Sequence, residues 1–205
     1  MIISCVRAIL AAAIFTLFGW VSGAFAEVDL NPIRSIAIDP EIQQPEIPLI
    51  QSPGNFKAFL IAGGIGAASD QAEAGKAFRE YMRKKDIDIS KIVLDSFKHV
   101  IEEDKPFALV ADADATLKLA INSYGFGVAG LFGGDARRPL INITASLVSR
   151  NGDVVWKKTD FITNMSKLTE AYTYDQLAKD PQLTAKSFEQ ASVLVSRLVF
   201  ADLKK

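Results

Sequence analysis

Few side chains in this sequence are of types that do chemistry. The 205 residues include a single histidine, His99, and a single cysteine, Cys5. The sequence contains neither the G-x-S-x-G turn of a serine nucleophile nor the H-E-x-x-H pair of a zinc protease. We therefore predict no catalytic residue, no metal centre and no cofactor, and we expect a protein that acts by binding.

His99 is flanked by carboxylates at helical spacing. Asp95 lies four residues before it and Glu103 four residues after it, so the three side chains can share one helix face. A histidine between carboxylates can hold a divalent metal weakly, but a durable site needs three or four ligands that converge on one point. We interpret this group as a solvated helix face.

Asp112 and Asp114 have the D-x-D spacing that can hold a divalent cation. In a strand this spacing places both carboxylates on the same side. No glycine and glutamate follow at the positions of a calcium loop, and no nucleotide-binding motif accompanies the pair. A turn before the next strand is the favoured interpretation. The alternative is a metal-dependent hydrolase of small molecules that uses Asp112 and Asp114, with His99 as a further ligand.

Alternating apolar residues predict the strands that would position these side chains. A first strand covers residues 33–38, and a second, over 117–124, buries every other side chain. Residues 140–162 form a hairpin, in which Asn151-Gly152 supplies a type I′ turn. The prolines between residues 39 and 54 predict an irregular connection.

The same pattern at a period of 3.6 residues predicts the helices. One covers residues 88–103, with Asp88 as its cap, and Pro181 opens another over 182–203. A helix-like stretch follows Asn55, with an apolar part at 58–68 that is interrupted by glycines. The last helix has an inward stripe formed by Phe188, Ala191, Leu194, Val195 and Leu198. The fold class is therefore α+β: a mixed, largely antiparallel sheet with a central hairpin at about 140–162, packed against two or three helices.

The amino-terminal residues predict export. Arg7 precedes an apolar run over residues 8–18, and Ala24-Phe25-Ala26 fits the site of signal peptidase. We predict a cleaved signal at residues 1–26, a single domain at 27–205, and a periplasmic or secreted location. An uncleaved anchor is the alternative, because residues 8–26 are close to the length that spans a bilayer. Cys5 precedes the apolar run, so it does not form a lipobox.

Charge and composition exclude several partners. The net charge is −1, and no long run of one sign occurs, so nothing drives electrostatic binding to nucleic acid or to anionic lipid. The expected partner is an envelope protein or a second copy of this chain. Peripheral membrane contact through the glycine-rich segment at 58–68 is a third possibility.

Apolar residues outside the predicted core supply the candidate contact surface. Gly125 to Gly134 is predicted to be a loop that exposes Phe126, Leu131 and Phe132 to a partner if it lies at the surface, and simple packing of these side chains is the alternative. On the last helix, Val193 and Phe200 lie seven residues apart and off the inward stripe, so this second face is either covered within the same domain or presented to another chain. We expect a change of Phe132 or Phe200 to serine to weaken association and to leave the fold intact.

The strand pattern resembles a known family. Residues 113–119, a glycine loop, residues 140–148 and a Gly152 turn before Val154-Val155-Trp156 form the pattern. It resembles the core of small periplasmic and outer-membrane accessory proteins of the curli-secretion-factor and TolB amino-terminal type. The resemblance implies an α/β domain that serves binding and envelope assembly, with no catalytic residues. Many members are lipoproteins, whereas the predicted mature chain lacks a cysteine.

Overall fold

The computed structural model describes residues 33–51, 71–129 and 134–203. The predicted signal at 1–26, the apolar segment at 58–68, and both Leu131 and Phe132 lie outside these residues.

Seven strands and four helices make up the described part of the chain. Their order is β1 (Ser35–Ile38), β2 (Leu49–Ile50), α1 (Gln71–Lys84), α2 (Ile89–Asp104), β3 (Ala108–Leu109), β4 (Ala115–Val128), β5 (Ala136–Ser149), β6 (Val154–Ile162), β7 (Tyr172–Thr173), α3 (Tyr174–Lys179) and α4 (Pro181–Phe200), followed by one 3₁₀ turn (Ala201–Leu203).

The two longest strands, β4 and β5, form the centre of one mixed sheet. They pair antiparallel along almost their whole length. The outer side of β4 pairs in parallel with β1 near its start and with β2 near its end. The outer side of β5 pairs antiparallel with β6 and, at its start, with β7. The strand order β3-β1-β4-β5-β6 confirms the predicted α+β class and the central hairpin.

The helices begin and end where local signals place them. The Asp88 carboxylate accepts hydrogen bonds from two backbone amides of the first turn of α2, and that helix ends at Lys105 in the left-handed conformation. Asp180 caps α4 and Pro181 is its first residue. The core contains buried side chains of α1, α2, α4 and the sheet. One member of the predicted stripe on α4 is wrong: Leu198 is 40% exposed, and Val199 and Phe200 are buried instead.

A bulge in β4 changes which side chains reach the core. Leu117, Leu119 and Ile121 are buried as predicted, but the pairing register with β5 shifts between Ile121 and Ser123. One extra residue in a strand moves every following side chain to the opposite face. Tyr124 is therefore buried, although a regular alternation predicted Ser123 in that place.

The turn between β5 and β6 differs from the predicted type I′. Only Gly152 has a positive φ in it, at 90°, whereas type I′ requires two such residues. The Gly152 amide donates to the Ser149 carbonyl at 2.9 Å, and the Ser149 amide donates to Asp153 at 2.8 Å. This is a three-residue connection with glycine at its left-handed position, so Asn151 keeps an ordinary conformation.

Candidate functional site

The structure buries Phe126, one of the predicted contact residues. It lies within β4 and not in a loop, and it is 0% exposed. Its ring contacts Phe78 and Phe188, with centroid distances of 5.7 and 5.1 Å. The expectation of an exposed Phe126 is wrong because the bulge in β4 turns this side chain toward the helices.

Phe200 is also buried, at 0% exposure. Its ring meets the Phe97 ring edge to face at a centroid distance of 5.6 Å and stacks on the Trp156 ring at 6.3 Å. The second apolar face of α4 is therefore covered by α2 and β6 of the same chain. The expectation that Phe200 is available to a partner is wrong.

Val193 is the predicted contact residue that does reach a surface depression. It is partly buried and lines a groove of about 400 Å³ between α2 and α4. Leu131 and Phe132 lie outside the described residues, so their contact role stays a prediction.

The side chains that suggested a metal site on α2 are engaged in ion pairs. Glu103 accepts a hydrogen bond from Arg197 at 2.7 Å and lies 3.7 Å from His99 Nε2. Asp95 pairs with Lys91. Within residues 33–51, 71–129 and 134–203, no group of three potential ligands could hold a metal ion.

Asp112 and Asp114 do not form a shared site either. Asp114 accepts hydrogen bonds from the backbone amides of Arg34 and Ser35, both at 3.0 Å, and from the Ser35 hydroxyl at 2.8 Å. These bonds lower the pKa of the Asp114 carboxyl and fix the start of β1 beside β4. Asp112 is almost fully exposed and pairs with Arg150 at 3.0 Å. Asp114 thus has a structural role, and the hydrolase alternative loses it as a metal ligand.

The groove between α2 and α4 is built by two helices that run side by side in the same direction. Residues near the start of both helices line a second depression of about 190 Å³, which shares Ile92 and Ala185 with the first. At the helical rise of about 1.5 Å per residue, the pair of depressions extends for roughly 16 Å from Asp88 to His99. We call this feature the α2/α4 groove.

The floor of the α2/α4 groove is apolar. Ile92, Ala185 and Val193 provide its carbon surface. Ser96, on the α2 side, is only 4% exposed, and its hydroxyl has no hydrogen-bond partner. A buried hydroxyl without a partner is uncommon, because a helical serine can bond to a carbonyl of the preceding turn.

The rim of the α2/α4 groove carries an excess of negative charge. Its lining includes the carboxylates Asp86, Asp88, Asp95 and Glu189 against the ammonium groups of Lys85 and Lys91. Among the residues that the structure describes, Glu189 has no ion-pair partner. The groove therefore favours an occupant with apolar and positively charged groups.

Sequence reasoning found Val193, Asp95 and His99 but missed Ser96, Ala185 and Glu189. The available signal was the small side chain of Ala185, which leaves room between α2 and α4. A second group of exposed apolar side chains, also missed, lies at the end of β6 and in the residues after it: Phe161 is 53% exposed, Met165 46% and Leu168 71%. No helix in the described ranges is long and apolar enough to cross a bilayer.

Comparisons with known proteins show similar structures but no family. No family model matches the sequence, and no curated protein matches it. A Xanthomonas campestris protein of the DUF330 family is similar in structure, with 17% identity, 83% of both chains covered and a TM-score of 0.46. A minor lipoprotein from Acinetobacter baumannii shares 11% identity over 83% of this chain and 95% of its own, with a TM-score of 0.36.

These scores are too low to support a conclusion about function. The resemblance to the curli-secretion-factor and TolB amino-terminal type stays a prediction, since no such family is matched.

Proposed function

We propose that this chain is a non-enzymatic binding domain of the cell envelope, and that it holds a segment of a partner protein in the α2/α4 groove. The segment is short, apolar on one side and carries one or two Lys or Arg residues. The observation that carries this proposal is the groove itself, with its carbon floor, its unpartnered buried hydroxyl and its negative rim.

The dimensions of the groove suit a protein segment. A length of roughly 16 Å matches about three turns of helix or five extended residues. Apolar residues of such a segment would cover Ile92, Ala185 and Val193, beside the buried Ser96. A basic side chain would pair with Glu189. The envelope location rests on the predicted signal at residues 1–26.

Cross-linking in the producing cell tests the proposal. A photo-reactive amino acid replaces Ala185 in the full chain, and the control places it at Lys157, which is exposed on β6. We expect position 185 to cross-link to a segment with apolar and basic residues and position 157 not to do so. Equal cross-linking at both positions would refute the proposal. A cross-link to a second copy of this chain would show that the groove serves self-association and not a partner protein.

A synthetic peptide of the cross-linked segment then tests the groove by calorimetry. Val193→Asp places a charge on the floor and should weaken binding by about tenfold or more, because it leaves a carboxylate desolvated. Glu189→Lys changes an exposed residue and should weaken binding by a few fold. Leu198→Asp, on the same helix but outside the groove, is the matched control. Binding that is unaffected by the first two changes would exclude the groove.

A further inference from the structure

Arg137 is a buried cation that the proposed function does not use. It lies on β5 and is 0% exposed. By the alternation of the strand its side chain points to the same face as Ile141, which belongs to the core. Arginine is almost never fully buried unless its charge is paired.

The hydrogen bonds from the Arg137 guanidinium to the backbone are made by one of its nitrogens, and its charge also acts on the nearby Tyr174 hydroxyl. Its Nη1 donates to the carbonyl oxygens of Gly134 at 2.7 Å and Ala136 at 2.9 Å. Its Cζ atom lies 4.8 Å from the centroid of the Tyr174 ring. The other two nitrogens, Nε and Nη2, are buried and have no hydrogen-bond partner.

The unpartnered nitrogens form the edge of the guanidinium that binds oxyanions. The N–H bonds of Nε and Nη2 point in parallel along that edge, and they match two oxygens of one carboxylate or phosphate. No carboxylate in the described ranges forms an ion pair with Arg137. One cation–π contact does not offset the cost of a buried charge with two unmade hydrogen bonds.

We propose that Arg137 is an oxyanion-binding residue, and that its Nε/Nη2 edge takes the carboxylate or phosphate group of a ligand. The site is independent of the α2/α4 groove, because it lies where β5 meets β7 and α3. A ligand reaches Arg137 only after a local rearrangement, because the side chain is 0% exposed. The strand beside Arg137, β7, has two residues, and the carbonyl that anchors Nη1 belongs to Gly134, which is exposed.

Thermal unfolding of the full chain in different anions tests this inference. The melting temperature is measured in chloride, in inorganic phosphate and in acetate at one ionic strength and at pH 7. We expect phosphate, acetate or both to raise the wild-type melting temperature by a few degrees in a saturable way. A response to phosphate alone indicates a phosphate-bearing ligand, and one to acetate alone indicates a carboxylate-bearing ligand. General salt effects rise without saturation, so a wild-type protein with no saturable response overturns the proposal.

Variants assign the response to Arg137. Arg137→Met keeps the side-chain volume and removes the unpaired charge, so it should be at least as stable as wild type in chloride and should lose the anion response. The Ala136 carbonyl still accepts from the Ala129 amide at 2.9 Å in that variant. Arg137→Lys keeps the positive charge but lacks the two parallel N–H donors, so it should also lose the anion response. Arg150→Gln changes an exposed arginine and should respond like wild type. A saturable response that survives both Arg137 changes would refute the assignment.

Discussion

Replacement of Phe200 by alanine should unfold the protein much more easily. The side chain is 0% exposed, and its loss removes a ring that contacts both Phe97 and Trp156. A buried Phe→Ala change costs about 3–5 kcal/mol. The two aromatic contacts, at roughly 0.5–1.5 kcal/mol each, place this site in the upper half of that range. This outcome replaces the expectation that a change at Phe200 leaves the fold intact.

Urea denaturation measures the effect directly, because Trp156 stacks on the deleted ring and its fluorescence reports the transition. With an m-value of about 2 kcal/mol/M, the midpoint should fall by roughly 2 M. Leu198→Ala, two residues away and 40% exposed, is the control and should cost less than about 1 kcal/mol. A Phe200→Ala protein within about 1 kcal/mol of wild type would refute the packing argument.

Three further predictions concern backbone space and titration. Gly125→Ala should disrupt the pairing of β2 with β4, because the new Cβ would lie 1.8 Å from the Leu49 carbonyl oxygen. Gly152→Ala is the matched control, since Gly152 also has a positive φ but no atom within 4 Å of the new Cβ. The control should lower the free energy of unfolding by only about 1 kcal/mol in the same urea assay. Burial raises the pKa of Tyr174 to about 12, so wild type should lose about 3 kcal/mol as the pH rises from 10 through 12, and Tyr174→Phe should lack this loss in alkaline unfolding curves. Hydrogen bonds lower the pKa of Asp114, so the ionised carboxylate stabilises the fold above the ordinary carboxyl pKa, and this stabilisation is lost as the pH falls through the lowered pKa. Asp114→Asn should therefore make the free energy of unfolding less dependent on pH in the acid range. An unchanged pH dependence would contradict the assigned hydrogen bonds.

The regular elements were predictable because their signals are local. Asp88 and Pro181 mark the starts of α2 and α4, and strict alternation marks β5 between Ile141 and Leu147. The bulge in β4 was not predictable, because nothing in the residues around Asn122 shows that pairing with β5 would slip there. That single shift explains why Phe126 is buried.

Two of the three two-residue strands, β2 and β7, were not predicted from the sequence for another reason. β2 and β7 have two residues each, which is too short for any periodicity to be visible. Their existence depends on the edges of β4 and β5 that they meet.

The candidate site was only partly predictable. Val193 was found because it departs from the main stripe of α4. The groove it lines depends on how closely α2 and α4 approach, and that distance is set by tertiary packing. In the sequence, Arg137 resembles any surface arginine. Its burial becomes visible only in the folded chain, where the Tyr174 ring lies against its guanidinium.

The pairing of β1 with β4 determines when the chain can finish folding. The hydrogen bonds that anchor β1 to Asp114 join residues 80 positions apart in the chain, and contacts of such separation slow folding. A nascent polypeptide must therefore extend beyond β3, which ends at Leu109, before its first strand has both of its neighbours, β3 and β4. Until β3 and β4 have been synthesised, β1 has no sheet to join, so the amino-terminal part of the described chain waits for residues that come roughly 70 positions later.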